Sequence, residues 1–232
     1  MKSITDEFLV TGEGVPSVVL LPGWATDGRV FGGLFPRATT VTTGPLRPDG
    51  FPRRLDAFLD RAAVRGPVTI VGWSLGGFLA AEFSREFPDR VRRAILVGVR
   101  RAYPAGDVAA VRYGLLRDRA ACLSGFYAQC FLPSQTADYR RFRAGLQKEY
   151  LREMDEGTLL SGLSYLAAAR LSKDLLPRCP VALVHGEKDV VAPAAEAEAV
   201  SRESGRATFF LLPGASHAAF LAEGFREAAP DA

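Results

Sequence analysis

Histidine is almost missing from this chain: 232 residues hold two, His185 and His217. Any step that passes a proton through an imidazole has only those two places to occur. Cysteine is nearly as scarce. Cys122, Cys130 and Cys179 are odd in number and widely spaced, which argues against a disulfide framework or a zinc site and leaves buried free thiols as the expectation. A strong charge of one sign is lacking too, and a net charge of +3 is too small to argue for nucleic acid. No apolar run approaches the roughly 20 residues that cross a bilayer. The start, Met1 to Glu7, has two acids where a secretory leader needs an apolar core. Internal repeats and low-complexity tracts are absent. These absences leave an ordinary globular composition and the expectation of a cytoplasmic, monomeric protein with no metal and no organic cofactor, not bound to membrane or nucleic acid.

What is present is organised around Gly72-Trp73-Ser74-Leu75-Gly76-Gly77. The apolar, β-branched run Val68-Thr69-Ile70-Val71 before it reads as a buried strand. After it, Phe78, Leu79, Ala80, Ala81 and Phe83 recur at helical spacing up to Pro88. A Gly-x-Ser-x-Gly between strand and helix is a nucleophile elbow, with glycines where a Cβ would clash and the Ser74 hydroxyl thrust out over the sheet end. The Leu75 N–H, at the helix start, faces whatever reacts with that hydroxyl.

Elsewhere the chain alternates. An edge strand is expected within 8–13, then a strand over Val18–Leu21, a loop-helix through Phe31 and Phe35, and a strand over Thr39–Thr43. A helix through Leu55 and Leu59 and a strand over Ala94–Val97 follow. This order implies an α/β fold with a mostly parallel sheet covered on both faces. Between Arg100 and Leu176 helical patterns take over, at 108–119, 120–131, 138–153 and 159–169. Strands return at Val181–Val184 and Thr208–Leu212, with a helix over 194–203 between them and a short one from His217. The boundaries read as 1–99 with 177–232 for the core and 100–176 for an inserted helical cap.

A serine hydroxyl needs a base, and the base an orienting acid. His217 follows the last strand, in a loop at a strand's carboxyl end, where this architecture collects chemistry. His185 ends the preceding strand and reads as structural. Asp189, in the loop after that strand, completes the order serine, acid, histidine. Glu187 is its nearest competitor. The second oxyanion donor is expected from the Trp24 N–H, after Gly23, beside that of Leu75.

The blocks Leu20-Leu21-Pro22-Gly23-Trp24, Gly72–Gly77, His185-Gly186-Glu187-Lys188-Asp189 and Gly214-Ala215-Ser216-His217 resemble those of α/β-hydrolases. Within them the chain is similar to the pimeloyl-acyl-carrier-protein methyl ester esterases of biotin synthesis, which pair a Gly-Trp loop with this elbow. Leu160 to Leu166, followed by Asp174-Leu175, adds to the likeness. Pro22 departs from it, standing where that group usually has histidine. The resemblance implies a serine carboxylesterase acting through an acyl-enzyme on an ester presented by acyl-carrier protein. A thioesterase, a general small-ester hydrolase, a proton-transfer lyase and a non-catalytic receptor are the other readings of the same fold.

Substrate choice is expected from the cap, with Trp24, Trp73, Phe126 and Phe131 as candidate contacts and Tyr127, Leu163 and Leu166 as further channel candidates. The cap holds twelve Lys/Arg against eight Asp/Glu. Arg140, Arg141 and Arg143 lead a basic run. It reads either as a landing surface for an acidic carrier or as a solvated face balanced by Glu149, Glu153 and Asp155.

Overall fold

Strands that are apolar on both sides must be covered on both faces, and the middle of the sheet here is built of them. The computed structural model describes residues 7–229. The leader expectation rests mainly on residues 1–6, which lie outside that range. The strands are β1 (Phe8–Thr11), β2 (Val18–Leu21), β3 (Thr40–Thr43), β4 (Val68–Trp73), β5 (Val91–Val97), β6 (Val181–Gly186) and β7 (Ala207–Leu212). They form one seven-stranded sheet in the order β1-β3-β2-β4-β5-β6-β7. Only the β1–β3 pairing is antiparallel; the others are parallel. Every residue of β2, β4 and β6 is buried, which is why those strands read as continuous apolar runs.

Helices α1 (Phe51–Arg61) and α2 (Leu75–Glu86) lie between the early strands, and five helices separate β5 from β6. These are α3 (Ala105–Arg117), α4 (Arg119–Phe131), α5 (Thr136–Phe142), α6 (Lys148–Glu153) and α7 (Glu156–Ala168). Helices α8 (Ala194–Ser204) and α9 (Phe225–Ala228) complete the chain. No helix among the described residues is long and apolar enough to cross a membrane.

Three expectations change. The helix expected over 138–153 is interrupted by a π-turn, Arg143–Gln147, that separates α5 from α6. On a regular helix Phe142 and Tyr150 would sit about 80° apart. The wide turn takes up that angle, and both rings are buried with their centroids 5.9 Å apart. The helix expected from His217 is instead a 3₁₀ turn over Ala219–Leu221, because the His217 carbonyl accepts from the Trp73 indole and is lost to a helical ladder. Of the three free thiols only Cys130 is buried; Cys122 and Cys179 are half-buried.

Candidate active site

The turn between β4 and α2 sets the geometry. Ser74 has φ +54° and ψ −116°, a conformation costing a non-glycine residue on the order of 1–3 kcal/mol. Close packing enforces it: a Cβ on Gly72 would lie 2.3 Å from the Gly76 carbonyl oxygen, and one on Gly76 would lie 2.2 Å from that of Leu21. The Ser74 N–H donates to the Val97 carbonyl at 2.8 Å, fastening the elbow to the end of β5. Its side chain faces a cavity of about 200 Å³.

His217 and Asp189 meet as a pair, His217 Nδ1 lying 2.8 Å from Asp189 Oδ2 with both side chains fully buried. Asp189 Oδ1 accepts the N–H groups of Val191 and Ala192 at 2.9 and 2.8 Å, which fixes the carboxylate. Burial alone would raise its pKa. The adjoining imidazole and the Ala192 N–H outweigh that and hold the carboxyl below the usual range. Asp189 therefore stays charged, and the ring's Nε2 is left as the group that can face a reactant.

The histidine loop is clamped from three sides. The Trp73 indole N–H donates to the His217 carbonyl at 2.9 Å. Gln135 accepts the Ser216 N–H at 2.9 Å and donates to the Ala218 carbonyl at 3.1 Å. Ser134 and Ser216 hydroxyls lie 2.8 Å apart. Gly98, next to the residue that anchors Ser74, lies against the imidazole: a Cβ there would be 2.9 Å from Cε1 and Nδ1. Serine and imidazole thus rest against adjacent residues of one strand end. They are not hydrogen-bonded to each other. His217 Nε2 is buried without a partner, and the Ser74 hydroxyl pairs with Tyr103 Oη at 3.3 Å.

The other candidates fall as follows. Glu187 turns to the Gly214 N–H and Lys188 at the surface, away from His217. His185 is buried against Phe209, and burial lowers its pKa to about 4. Leu75 heads α2, and Trp24 lies beyond β2, its indole N–H tied to the Leu159 carbonyl of α7 at 2.9 Å. Trp24, Phe126, Leu163 and Leu166 line the cavity with Ser74. Trp73, Tyr127 and Phe131 do not. Trp73 packs on Phe220 behind the imidazole, Tyr127 donates to the Ala25 carbonyl, and Phe131 packs on Phe142 and Tyr139. Tyr103 and Arg100 also line the cavity, and no sequence motif marks either. Their position just past the end of β5, at the same sheet edge as the other chemistry, was the available signal.

Arg140, Arg141 and Arg143 are exposed and are not among the cavity's lining residues. Arg141 pairs with Asp138, and Arg143 stacks 5.7 Å from the Tyr139 ring centroid. Of the acids expected to balance this face, Glu153 does so in part, pairing with the exposed Arg152 at 2.9 Å, but their main contacts lie elsewhere. Glu149 and Glu153 reach inward to the buried Arg29, and Asp155 caps α7 through the Thr158 N–H.

Residues 18–230 of the chain match the alpha/beta hydrolase family. The chain belongs to the alpha/beta hydrolase family. Among curated proteins, this α/β hydrolase is 31% identical to a pimeloyl-acyl-carrier-protein methyl ester esterase of Nitrosomonas europaea, over 91% of this chain and 92% of that one. It is 30% identical to the protein of the same name in Aromatoleum aromaticum, over 89% and 92%. Among solved structures, an esterase of Thermogutta terrifontis superposes with a TM-score of 0.79 at 21% identity, over 96% of this chain and 90% of that one. An enol-lactonase of Burkholderia xenovorans gives 0.78 at 16% identity, over 96% and 93%. At those identities the structural likeness speaks to the fold alone, which the α/β hydrolase shares with enzymes of several specificities.

Proposed function

We propose that this protein is a serine carboxylesterase working through an acyl-enzyme. The observation that carries the reading is the Ser74 elbow at a cavity beside the His217–Asp189 pair. In this mechanism Ser74 Oγ attacks the ester carbonyl carbon as its proton passes to His217 Nε2, the contact closing in the substrate complex. Asp189 holds the ring and stabilises its charged form. The Leu75 and Trp24 N–H groups receive the carbonyl oxygen as it becomes an oxyanion. The alcohol leaves with the proton from His217, and water then cleaves the acyl-serine by the same route.

The cavity's size supports a slender acyl group. Its 200 Å³ is below the roughly 300–1,000 Å³ of sites for bulky ligands. The apolar side chains of Phe126, Leu163 and Leu166 suit methylenes. The helical segment 100–176 acts as a cap that selects the substrate. The relatives' names point to the methyl ester of pimeloyl-acyl-carrier protein, and hence to biotin synthesis. The exposed Arg140, Arg141 and Arg143, with Glu149 drawn to Arg29 instead, offer an acidic carrier a positive face.

The test supplies this gene to a biotin-requiring strain lacking its own esterase, and in parallel assays the purified protein on methyl esters and acyl thioesters. Growth without biotin and methyl ester turnover, both abolished by Ser74→Ala, are expected. Thioester cleavage without methyl ester cleavage would make the protein a thioesterase, and failure of a fluorophosphonate to label Ser74 would remove the hydrolase reading itself.

A further inference from the structure

The hydrogen-bonding partner of the proposed nucleophile in this structure is a tyrosine. Tyr103 Oη lies 3.3 Å from Ser74 Oγ, on the loop that carries the chain from β5 into α3. The ring is held from several directions. Phe78 of α2 lies 6.2 Å away between centroids, and the Arg100 guanidinium stacks over the ring at 5.3 Å. Arg100 is itself pinned by Glu196 of α8 at 2.6 Å. Glu196 also accepts the Arg101 N–H at 3.0 Å, so the start of this loop is tied to α8 twice. The phenol is thus a placed group, with its oxygen on the reacting atom and its ring in the cavity wall.

Resting on the esterase reading above, we propose that Tyr103 is a further catalytic residue: its hydroxyl donates a hydrogen bond to Ser74 Oγ and stabilises that oxygen when it is expelled from the acyl-enzyme. The direction of donation follows from a proton count. Ser74 carries one hydroxyl proton, and attack requires that proton to go to His217 Nε2, so the bond between the two hydroxyls must be given by the phenol. Burial, which raises the Tyr103 pKa to about 12, keeps it protonated across the working pH range.

In deacylation a water oxygen bonds to the acyl carbon as its proton passes to His217 Nε2. The C–Oγ bond then breaks, His217 returns the proton to Oγ, and Tyr103 keeps its own throughout. Negative charge gathers on Oγ only as that bond breaks, so the donor acts most on this step. During acylation a hydrogen bond into Oγ slightly weakens the nucleophile, and little net effect is expected there.

Tyr103→Phe removes one oxygen and leaves the ring against Arg100 and Phe78. The assay is pre-steady-state hydrolysis of a p-nitrophenyl ester, whose good leaving group makes deacylation limiting, with rates referred to sites titrated by a fluorophosphonate. A full burst at near wild-type rate is expected, followed by a kcat about tenfold lower, the worth of one hydrogen bond made in the transition state. Referring rates to titrated sites keeps the result readable if the variant is less stable. The proposal is overturned by a kcat within twofold of wild type, or by a slower burst with unchanged turnover. Absence of labelling in the wild type would instead sink the esterase reading on which it rests.

Discussion

Gly98, the residue after β5, has φ +59°, and an added Cβ would stand 2.9 Å from Cε1 and Nδ1 of His217. Gly98→Ala should therefore have two separable effects. The left-handed backbone costs an alanine roughly 1–2 kcal/mol of stability. The second effect is displacement of the imidazole. Ordinary carbon contacts begin near 3.4 Å, so the ring must retreat by about 0.5 Å or more. Its main chain cannot retreat with it, because the His217 carbonyl is bonded to Trp73 and the neighbouring Ser216 N–H to Gln135. The ring must tilt on the 2.8 Å bond to Asp189. Since a displacement of ~1 Å costs about a hundredfold in rate, half of that predicts a kcat lowered about tenfold with KM within twofold. Gly205→Ala is the control. Gly205 has φ +63° and nothing within 4 Å of an added Cβ, so it should show the stability loss without the rate loss. Urea unfolding and ester hydrolysis on both variants decide the matter. If Gly98→Ala loses stability but keeps full kcat, the imidazole is not held in the tight seat described above, and the reasoning fails.

Buried His185, with its pKa lowered to about 4 by burial, resists protonation in the fold but not when unfolded, where its ordinary value is 6.5. Below pH 6.5 the unfolded chain binds the extra proton, so stability present above 6.5 is lost as pH falls toward 4, by about 2 kcal/mol at pH 5. His185→Phe should flatten urea midpoints between pH 7.5 and 4.5, and an unchanged slope refutes the assignment; the depressed Asp189 carboxyl contributes only at lower pH. Arg29 and Asp27, both buried, form an ion pair at 2.8 Å that Glu149, Glu153 and Tyr150 complete. Arg29→Met strands a buried carboxylate and should cost about 3–5 kcal/mol in urea unfolding, with Asp27→Asn in the same chain recovering part of it; equal stability of the single and double variants would disprove the coupling.

The parts legible from sequence were those whose physics is local. The apolar run Val18–Leu21 announces a strand because each of its residues is buried, and the observed strand has the same bounds. Gly72 and Gly76 announce a tight turn because what excludes a Cβ lies four or five residues away or on the adjoining β2 strand. Ser74, His217 and Asp189 stood out because parallel strands deliver their carboxyl ends to one edge, so residues far apart in sequence are brought together by a rule that needs no contact map.

The parts that stayed hidden depend on which side of an element meets which neighbour. Trp73 and Trp24 are both candidates for substrate contact on sequence, Trp24 the better one. Trp73 sits in the sheet's own layer, where its indole can only reach the carbonyl of the histidine loop, whereas Trp24, past the end of β2, leans into the cavity and ties itself to α7. Glu149 and Glu153 looked like the counterweight to a basic helix face. Sequence spacing put them near Arg152, which Glu153 does pair with, but could not show that a buried arginine 120 and 124 positions away binds both. Tyr103 belongs to both groups. It lies at the same sheet edge as the triad candidates, which the strand rule could have flagged, yet it acquires meaning only because Arg100, Phe78 and the strained elbow converge on it. A loop residue at the carboxyl end of a parallel strand therefore merits a chemical reading even where no motif names it, and the one hydroxyl separating Tyr103 from phenylalanine is where that argument is tested.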